Sequence, residues 1–519
     1  MGWSQKIIGD VCHQPQYGYT TKATQDGDLH LLRTTDITSG SIDWSTVPFC
    51  TENPEDEDKY LLNDGDIVIS RAGSVGVSYL IKSPKNAVFA SYLIRFKPLI
   101  DKQYFKYFLD GPFYWNAITE NKLGIAVPNV NANKLKEISI PIPPENEQHR
   151  IVDKIEELFS ELDKGIESLK TAREQLKVYR QALLKHAFEG KLTEQWRKDN
   201  ADKLETADHL LERIKQEREA RYQQQLEDWK AAVKQWEADG KEGKKPAKPK
   251  MPKALGDFSP DELADFSLLP AGWEWVKFDK ICEHDQYAIK AGPFGSALKK
   301  EHYSETGYKV YGQEQVISGD PYLGDYYVPE KKYQELITCK IKPQDILISL
   351  VGTVGKVLVL PEDCAEGIIN PRLIKVSANT ECYLPEFFKY YFESMYLKSL
   401  YKLQTHGATM DVLNLGIIQS LPFPFCSIEE QQDIVRKLDS ALSVIEQYDA
   451  EIESSVRQSE ALRQSILKKA FSGQLVPQDP DDEPASALLD RIAKEKEEAV
   501  AKAKKAKAAK KKQVTRKAS

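Results

Sequence analysis

The chain of 519 residues lacks the cysteine pairs and long apolar runs that would place it outside a reducing compartment. Its seven cysteines are scattered, and none forms a CxxC pair. This spacing excludes a zinc ribbon and a disulfide framework and favours a reducing cytosol. The sequence contains neither an apolar run long enough to span a bilayer nor a signal peptide. We therefore expect a soluble, cytoplasmic protein.

The sequence also lacks the motifs of common enzymes. It contains no GxxxxGK[ST] phosphate loop, because GTVGK at 352–356 has the wrong spacing. It has no HExxH zinc motif among its eight histidines and no Asp-Pro-Pro-Tyr or Asn-Pro-Pro-Phe run of an amino-methylating enzyme. These absences favour a binding subunit that holds no metal and catalyses no reaction itself.

Excess positive charge is missing as well. The net charge is −7; residues 1–143 hold 14 Lys/Arg against 16 Asp/Glu, and residues 270–425 hold 16 against 19. Nucleic-acid-binding domains usually show a basic face. If these regions bind DNA, a few placed cations must make the contacts, and a partner must supply further phosphate contacts.

What the sequence does contain is a long internal repeat. The repeat is too long for a solenoid unit, whose period is about 20 to 50 residues. It predicts two similar heads, each followed by a helix, related by a pseudo-two-fold axis. The matching segments are LLKHAFEGKL (183–192) with ILKKAFSGQL (466–475), DIVISRAGSVG (66–76) with DILISLVGTVG (345–355), and GWSQKIIGDVC (2–12) with GWEWVKFDKIC (272–282).

Each head has the pattern of a mixed α/β domain. Alternating β-branched residues around the glycine turns predict strand–turn–strand units in a half-buried sheet. An aromatic helix follows in each copy, with a Tyr and Phe stripe that we assign to the core. A proline-rich segment, SIPIPP at 139–144 and LPFPF at 421–425, ends each head because proline cannot continue a sheet or a helix interior.

After each head the apolar residues recur with the three-four spacing of a coiled coil. Each of these stretches runs about 40 residues, and two rods of equal length in one chain pair most simply as an antiparallel coiled coil. Glycines at 190 and 473 mark the ends of the rods. The predicted seam consists of Ile151, Ile155, Leu158, Leu162, Leu169, Leu176, Leu183, Ile434, Leu438, Ile445, Ile452, Leu462 and Ile466.

The predicted organisation alternates heads and helices. A charged, glutamine-rich helix and a basic linker join the two units, and the tail from Lys502 holds nine Lys/Arg and no acid. Such a tail suits either non-specific phosphate contacts or simple solvation. The predicted segments are a first head (1–143), a first rod (144–190), a spacer and linker (191–268), a second head (269–426), a second rod (427–473) and a C-terminal segment (474–519).

Motifs in this order resemble one family, the specificity subunits of type I restriction–modification systems. The resemblance rests on the glycine-turn strands, the proline exit, the rod ending AFxGxL and a Glu-Gln pair. The pair is Glu147-Gln148 in the first copy and Glu430-Gln431 in the second. The segment LPAGWEWVKF from Leu269 matches the usual start of a head in this family, whereas the first copy lacks that lead-in.

The resemblance implies a function and a set of partners. Each head would be a target recognition domain that binds one half of a split, asymmetric sequence in double-stranded DNA, and the rods would fix the gap between the halves. Two adenine methyltransferase subunits and two restriction subunits, which translocate DNA with ATP and cleave it, would assemble on this chain. Those partners would hold S-adenosylmethionine, ATP and magnesium, and this chain would hold no cofactor.

Base recognition in the major groove requires Arg, Lys, Asn, Gln and hydroxyl side chains. Leu350 replaces Arg71 in the second copy, so the two turns cannot make the same contact, which favours different half-sites. In the first head the candidate DNA-binding residues are Arg33, Thr34, Thr35, Arg71, Ser91, Tyr92 and Arg95. In the second head they are Lys290, Ser296, Gln313, Gln315, Asn370, Arg372, Thr405 and His406.

Two other functions fit parts of the sequence. A two-headed coiled-coil scaffold that binds proteins would explain the negative charge of both heads. A chain that is itself a nuclease or methyltransferase would show activity when purified alone, and we expect none.

Overall fold

A computed structural model describes residues 2–122, 130–249, 255–283, 285, 287–350, 355–404 and 413–517. The chain forms two compact units. The first combines Met1–Thr171 with Ile452–Ser519, and the second consists of Ala172–Glu451. Each unit therefore contains one head and parts of both long helices.

The first head is mixed α/β. Its strands are β1 (Ser4–Ile7), β2 (Gln16–Tyr17), β3 (Ala23–Thr24), β4 (His30–Leu32), β5 (Phe49–Cys50), β6 (Ile67–Ser70), β7 (Ser78–Leu80), β8 (Ala87–Phe89), β9 (Leu93–Phe96) and β10 (Ser139–Ile142). Its helices are α1 (Ile8–Val11), α2 (Thr34–Ile37), α3 (Glu57–Tyr60), α4 (Lys102–Asp110), α5 (Pro112–Lys122) and α6 (Ala132–Lys136).

Along the chain, the segment that separates the two heads is mostly helical. They are the first rod α7 (Glu145–Phe188), α8 (Glu194–Asp199), α9 (Ala207–Ala238) and α10 (Pro260–Ala264). Only the first turns of α9 are buried, through Ala207, Leu210 and Ile214. The described part of the basic linker returns along α9, where the Trp229 indole donates to Pro246 O at 3.0 Å.

The second head is also mixed α/β. Its strands are β11 (Glu274–Lys277), β12 (Ile289–Ala291), β13 (Tyr308–Tyr311), β14 (Tyr327–Val328), β15 (Ile346–Ser349), β16 (Val357–Val359), β17 (Gly367–Ile369), β18 (Leu373–Val376) and β19 (Pro422–Phe425). Its helices are α11 (Gln313–Ser318), α12 (Glu330–Glu335), α13 (Pro385–Glu393), α14 (Met395–Gln404) and α15 (Leu415–Ser420). The second rod α16 (Ile428–Phe471) and helix α17 (Ala485–Lys517) complete the chain.

The two heads connect their strands in the same way. Within the described residues, a four-stranded sheet has the order β2-β9-β6-β7 in the first head and β12-β18-β15-β16 in the second. A second sheet contains a parallel pair in each head, β4 with β8 and β13 with β17. The first and last strands of each head pair antiparallel, β1 with β10 and β11 with β19.

The central strand of the larger sheet is more buried than the sequence predicts. All four residues of β6 and all four of β15 are buried, whereas the alternation predicts a half-buried sheet. The reason is that both faces are covered. Ile67 and Ile69 pack with Phe105 and Phe108 of α4, and Val68 packs in a separate cluster on the other face. The aromatic stripe of α4 is core, as predicted.

Each rod is one helix of 44 residues, close to the predicted length. Both rods end at glycines in the left-handed conformation, Gly190 with φ +70° and Gly473 with φ +72°, where a side chain would be strained. In the first unit Asp163 and Arg463 form an ion pair. In the second unit the Arg173 Nε–Asp449 Oδ1 distance is 2.7 Å.

Most predicted seam residues are buried or half-buried. Ile151, Ile155, Ile434, Leu438, Ile445 and Ile466 are buried. Leu158, Leu162, Leu169, Leu176, Leu183 and Ile452 are intermediate. Leu462 differs, because 50% of it is exposed and Leu467, just over one turn later, is buried instead. The buried face of the second rod in this turn therefore includes Leu467 and not Leu462.

The Glu-Gln pair fastens each head to the start of a rod. In the first unit the Trp3 indole donates to Glu147 Oε1 at 2.9 Å, and Gln148 Oε1 accepts from Asp101 N at 3.1 Å. In the second unit the Trp273 indole donates to Glu430 Oε2 at 2.8 Å. Buried polar groups of this kind fix a single geometry because each depends on the other for its hydrogen bonds.

Candidate nucleic-acid interface

Three chain segments of the first head meet at one edge of its sheets. Strands β4 and β8 are parallel and end together, where Ala90 N donates to Leu32 O at 2.8 Å. Strand β6 ends beside the start of β9, where Arg71 N donates to Tyr92 O at 2.9 Å. The first recognition edge, as we define it, consists of Arg33, Thr34, Arg71, Ser91 and Tyr92.

The second head builds the same edge with the same backbone hydrogen bonds. Asn370 N donates to Tyr311 O at 2.9 Å, and Leu350 N donates to Arg372 O at 3.0 Å. These bonds correspond one for one to those of the first head. The second recognition edge, as we define it, consists of Gln313, Leu350, Asn370 and Arg372.

A glycine makes room for each edge. Gly18 N donates to Leu93 O at 3.1 Å, and Gly292 N donates to Leu373 O at 2.9 Å. A Cβ on Gly18 would lie 2.2 Å from Ala90 O, and one on Gly292 would lie 1.9 Å from the carbonyl oxygen of residue 370. Any side chain at either position would therefore push the neighbouring backbone away.

Arg33 lies on the first recognition edge and is already paired. Its Nη2 lies 2.8 Å from Asp36 Oδ1, and its Nε donates to Asp36 Oδ2 at 3.1 Å. The hydrogen bonds with Asp36 raise the pKa of Arg33 above its usual value. The Arg33 side chain is 41% exposed. Bidentate contact with a guanine would require Arg33 to leave Asp36, so this residue is better placed for a single contact.

Tyr92 is the most exposed residue of this edge, and Arg71 beside it is half-buried. The Arg71 guanidinium lies 5.0 Å from the centre of the Tyr17 ring, a cation–π contact that holds the fork at the surface. Tyr92 is 61% exposed. Ser91 and Thr34 are half-buried beside them, and Thr35 is exposed one residue further along α2.

Arg95, a candidate from the sequence, lies inside the head and not on the recognition edge. It is 5% exposed, because it lies inside β9 and its guanidinium contacts Gln16 of β2 and the backbone of α3 and the residue after it. It donates to Leu61 O at 2.6 Å and to Lys59 O at 2.9 Å, and it pairs with Asp66 at 3.3 Å. Burial lowers the pKa of Arg95, and Asp66 partly offsets that effect. Arg95 is a structural residue.

On the second recognition edge, Arg372 is exposed and its neighbours orient it. Asn370 Oδ1 accepts from Arg372 N at 2.9 Å. Arg372 Nη1 lies 3.5 Å from Gln313 Oε1, and Gln313 Nε2 donates to Ser349 Oγ at 2.9 Å. Gln313 is only 9% exposed, so its role is to position Arg372 and not to contact a ligand.

Gln315 is also a structural residue rather than a recognition residue. It is fully buried in α11. Its Oε1 accepts from Gly312 N at 2.8 Å, and its Nε2 donates to Leu323 O at 2.7 Å. The sequence did not reveal this burial, because the partner of the Gln315 amide, the loop carbonyl of Leu323, follows eight residues later and shows no local pattern.

Of the remaining predicted residues of the second head, Lys290 lies in β12, Ser296 lies on a turn, and two lie outside the described residues. Lys290 Nζ lies 5.3 Å from the Tyr287 ring centre, two residues before Gly292. Ser296 is exposed on the 3-10 turn Gly295–Ala297. Thr405 and His406 lie outside the described residues, as do the side chains of the basic tail from Lys502.

Sequence reasoning missed a further repeat that supports the heads. The segment LLERI (210–214) matches LLDRI (488–492), and each begins a helix that packs on one head. Ala207 N donates to Gly272 O at 3.0 Å, and Ala485 N donates to Gly2 O at 3.4 Å. The matching leucine pairs in the two segments could have revealed this repeat from the sequence. The high charge of both helices obscured the match.

The site contains no arrangement suited to metal chemistry. Within the described residues, no three His, Cys, Asp or Glu side chains are grouped as metal ligands would be. Within the same part of the chain, no helix combines the length and apolar character needed to cross a membrane.

Comparison with known proteins identifies relatives over nearly the whole chain. A family model described as the type I restriction modification DNA specificity domain matches residues 1–171 and 270–454. The specificity subunits of two type I restriction enzymes of Escherichia coli, EcoBI and EcoDI, are each 22% identical to this chain. The EcoBI alignment covers 91% of this chain and 87% of the relative, and the EcoDI alignment covers 92% and 95%.

One solved structure supports the fold. It is described as the structural basis underlying complex assembly and conformational transition of the type I R-M system. Its chain superposes with a TM-score of 0.59 and 16% identity, over 91% of this chain and 98% of that one. At this identity the likeness concerns the fold alone.

Proposed function

Since this chain belongs to the type I restriction modification DNA specificity family, we propose that it selects the DNA sequence on which such a system acts. Each head binds one half of a bipartite, asymmetric site in double-stranded DNA. The observation that carries this proposal is the pair of recognition edges, which share their backbone hydrogen bonds and differ in their exposed side chains.

The polar side chains at the edges suit base recognition. Arg71 and Arg372 can each donate two hydrogen bonds to guanine O6 and N7, and Asn370 can pair with adenine. Both heads carry a small net negative charge, so their own contacts with phosphates are few. Methyltransferase partners would supply the other phosphate contacts and with them most of the salt dependence.

The difference between the edges favours two unrelated half-sites. Arg71 of the first edge corresponds to Leu350 of the second, and Tyr92 corresponds to Arg372. A guanidinium and an isobutyl group cannot make the same contact with a base pair. The combined site is therefore asymmetric.

The rods set the gap between the half-sites by pairing as an antiparallel coiled coil. Their equal length of 44 residues supports this arrangement. The ion pairs also support it, because residues later in the first rod pair with residues earlier in the second. The pairs are Asp163 with Arg463, Arg173 with Asp449, and Arg180 with Glu446. Together with the repeated head, this pairing supports an internal duplication with a pseudo-two-fold axis.

The chain acts through partners. Two methyltransferase subunits bind S-adenosylmethionine and methylate adenine, and two restriction subunits use ATP and magnesium for translocation and cleavage. The names of the relatives, specificity subunits of type I restriction enzymes, support this assembly. The chain itself binds no cofactor and performs no chemistry, and the complex works on DNA in the cytoplasm.

A binding assay separates this function from that of a protein scaffold, which the negative charge of the heads favours. The chain with its methyltransferase partner should bind a fluorescent duplex carrying the site, and single base-pair changes should each cost about 1–3 kcal/mol. Binding that is indifferent to sequence would support the scaffold. Methylation or cleavage by the purified chain alone would contradict a non-catalytic role.

The spacing role has its own test. An insertion of four residues after Glu174, in the middle of the first rod, should lengthen the recognised gap or abolish assembly. The same insertion in the exposed linker after Lys241 should leave the gap unchanged. Unchanged spacing after the rod insertion would contradict the proposed ruler.

A further inference from the structure

Phe294 is an apolar ring held in solvent on a fixed turn. It is 89% exposed, while Pro293 before it and Leu298 after it are buried. Ala297 N donates to Phe294 O at 2.9 Å, which closes the turn. Burial of a phenyl ring stabilises a protein by about 1.5–3 kcal/mol, so a ring displayed in this way forgoes that contribution. Neither the sequence motifs nor the predicted site residues include it.

The turn that carries Phe294 lies against the second recognition edge. Gly292 is so close to the β17–β18 turn that an added Cβ would lie 1.9 Å from the carbonyl oxygen of Asn370 and 3.0 Å from Pro371 Cα. Phe294 follows two residues later, so its Cα lies within about 7 Å of that of Gly292. The turn that displays the ring therefore starts next to the backbone of Asn370, at the second recognition edge.

Comparison of the two edges shows that each combines an arginine with an exposed ring, at different positions. The first edge has Arg71 after its central strand and Tyr92, 61% exposed, on the turn before β9. The second edge has Arg372 at the position of Tyr92 and Leu350 at that of Arg71. Phe294 supplies the exposed ring that the second edge would otherwise lack.

The chemistry of a phenyl group restricts what it can recognise. It has no hydrogen-bond donor or acceptor, so it cannot distinguish bases by hydrogen bonding. In the major groove the apolar group that distinguishes one base pair from the others is the 5-methyl group of thymine. We propose that Phe294 is a specificity-determining residue that recognises thymine in the second half-site through this methyl group. This inference rests on the proposed DNA-binding function.

The test removes the methyl group and the ring separately. The full chain with its methyltransferase partner is titrated with a fluorescent duplex carrying the methylated site, and each thymine of the second half-site is replaced in turn by deoxyuridine. In the wild type, one replacement should weaken binding about fourfold, the cost of one methyl group at about 0.8 kcal/mol. Phe294→Ala should bind the thymine and deoxyuridine duplexes equally, and Phe294→Leu should retain part of the difference.

Leu268→Ala is the matched control, because Leu268 is 96% exposed and precedes β11, away from the recognition edge. It should keep the full deoxyuridine effect. Thermal unfolding of Phe294→Ala should match that of the wild type, since the ring is not part of the core.

Four results would overturn the inference while leaving the proposed function intact. Three are a second half-site without thymine on either strand, no deoxyuridine effect in the wild type, and an unchanged effect in Phe294→Ala. The fourth is a loss of DNA bending in Phe294→Ala without any methyl effect, which would make the ring a wedge between bases. Sequence-indifferent binding by the wild type would instead contradict the proposed function itself.

Discussion

The turn after β6 carries Arg71 in the first head, and the equivalent turn after β15 carries Leu350 in the second. Both turns make the same hydrogen bond from the backbone N–H to the turn before the next strand, at 2.9 and 3.0 Å. The scaffold of the edge is thus independent of the side chain it presents. A surface built in this way can change its ligand without changing its fold.

Inside the larger sheet, near the start of its central strand, both heads bury a cation with an aspartate. The first head buries Arg95 with Asp66 at 3.3 Å, and the second buries Lys375 with Asp345 at 4.0 Å. Both pairs link the same two strands of the larger sheet. The comparison shows that both heads pair the charges inside their sheets, and the proposed function assigns recognition to the charges at the rim.

Exchange of a whole head should have the largest effect on the difference between the two half-sites. Replacement of residues 1–143 by the corresponding head of another family member should change one half of the recognised site completely and leave the other half intact. Replacement of residues 269–426 should have the reciprocal effect. Selection of bound duplexes from a random pool measures both. A change in both halves after a single exchange would show that the heads do not act separately.

Removal of the buried cation tests whether Arg95 belongs to the fold. Arg95→Ala should destabilise the first unit by about 3–5 kcal/mol, because Asp66 is left buried without its partner. Arg33→Ala, which removes an arginine that is 41% exposed, should change stability by about 0–1 kcal/mol. Urea unfolding of the full chain, followed by hydrogen exchange in β6 and β9, compares the two. Equal losses would refute the distinction between fold and rim.

Removal of the Arg372 or Arg71 side chain compares the two recognition edges at single base pairs. Arg372→Ala should cost about 1–3 kcal/mol in binding and relax specificity at one position of the second half-site, if it is bidentate to guanine. Arg71→Ala should do the same in the first half-site. Lys331→Ala removes an equal charge from α12 of the second head and should leave specificity unchanged. A loss that is equal on all sequences would identify a phosphate contact instead.

A smaller effect concerns pH. Burial raises the pKa of Asp345 to about 6, and Lys375 partly opposes the shift. The folded state therefore keeps a proton that the unfolded chain releases near pH 4, so the stability of the second unit should fall as pH rises from about 4 to about 6 and then level off. Asp345→Asn should remove this slope, and Asp363→Asn, at an exposed site, should not. A rise in stability over that range, caused by Asp345, would contradict the assignment.

The repeat and the periodicity predicted the heads, the rods and the glycine stops because each depends on local spacing. The residues of α7 at three- and four-residue intervals indicated its buried face without any knowledge of the partner. Leu462 was the exception, because Leu467 is buried in the core cluster of the first head and Leu462 is half exposed, which the spacing alone does not reveal.

Candidate recognition residues were harder to select, since the exposure of a side chain depends on segments far apart in sequence. Arg71, Tyr92 and Arg372 lie on turns, where an exposed polar or aromatic side chain is expected. Arg95 and Gln315 have the same chemistry, and only the carbonyls of Lys59, Leu61 and Leu323 show that they are buried. Two features of the sequence could have indicated that Arg95 is buried. Arg95 lies inside the strand LIRF, and an aspartate precedes the neighbouring central strand in both copies.

The central claim is that two heads with one scaffold bind two different half-sites at a fixed separation. Genome-wide mapping of methylated adenines in cells that carry this chain and its methyltransferase partner tests it most directly. The account predicts a single bipartite motif with two unrelated halves and one constant gap, lost when this chain is deleted. A continuous motif, two identical halves or a variable gap would contradict it.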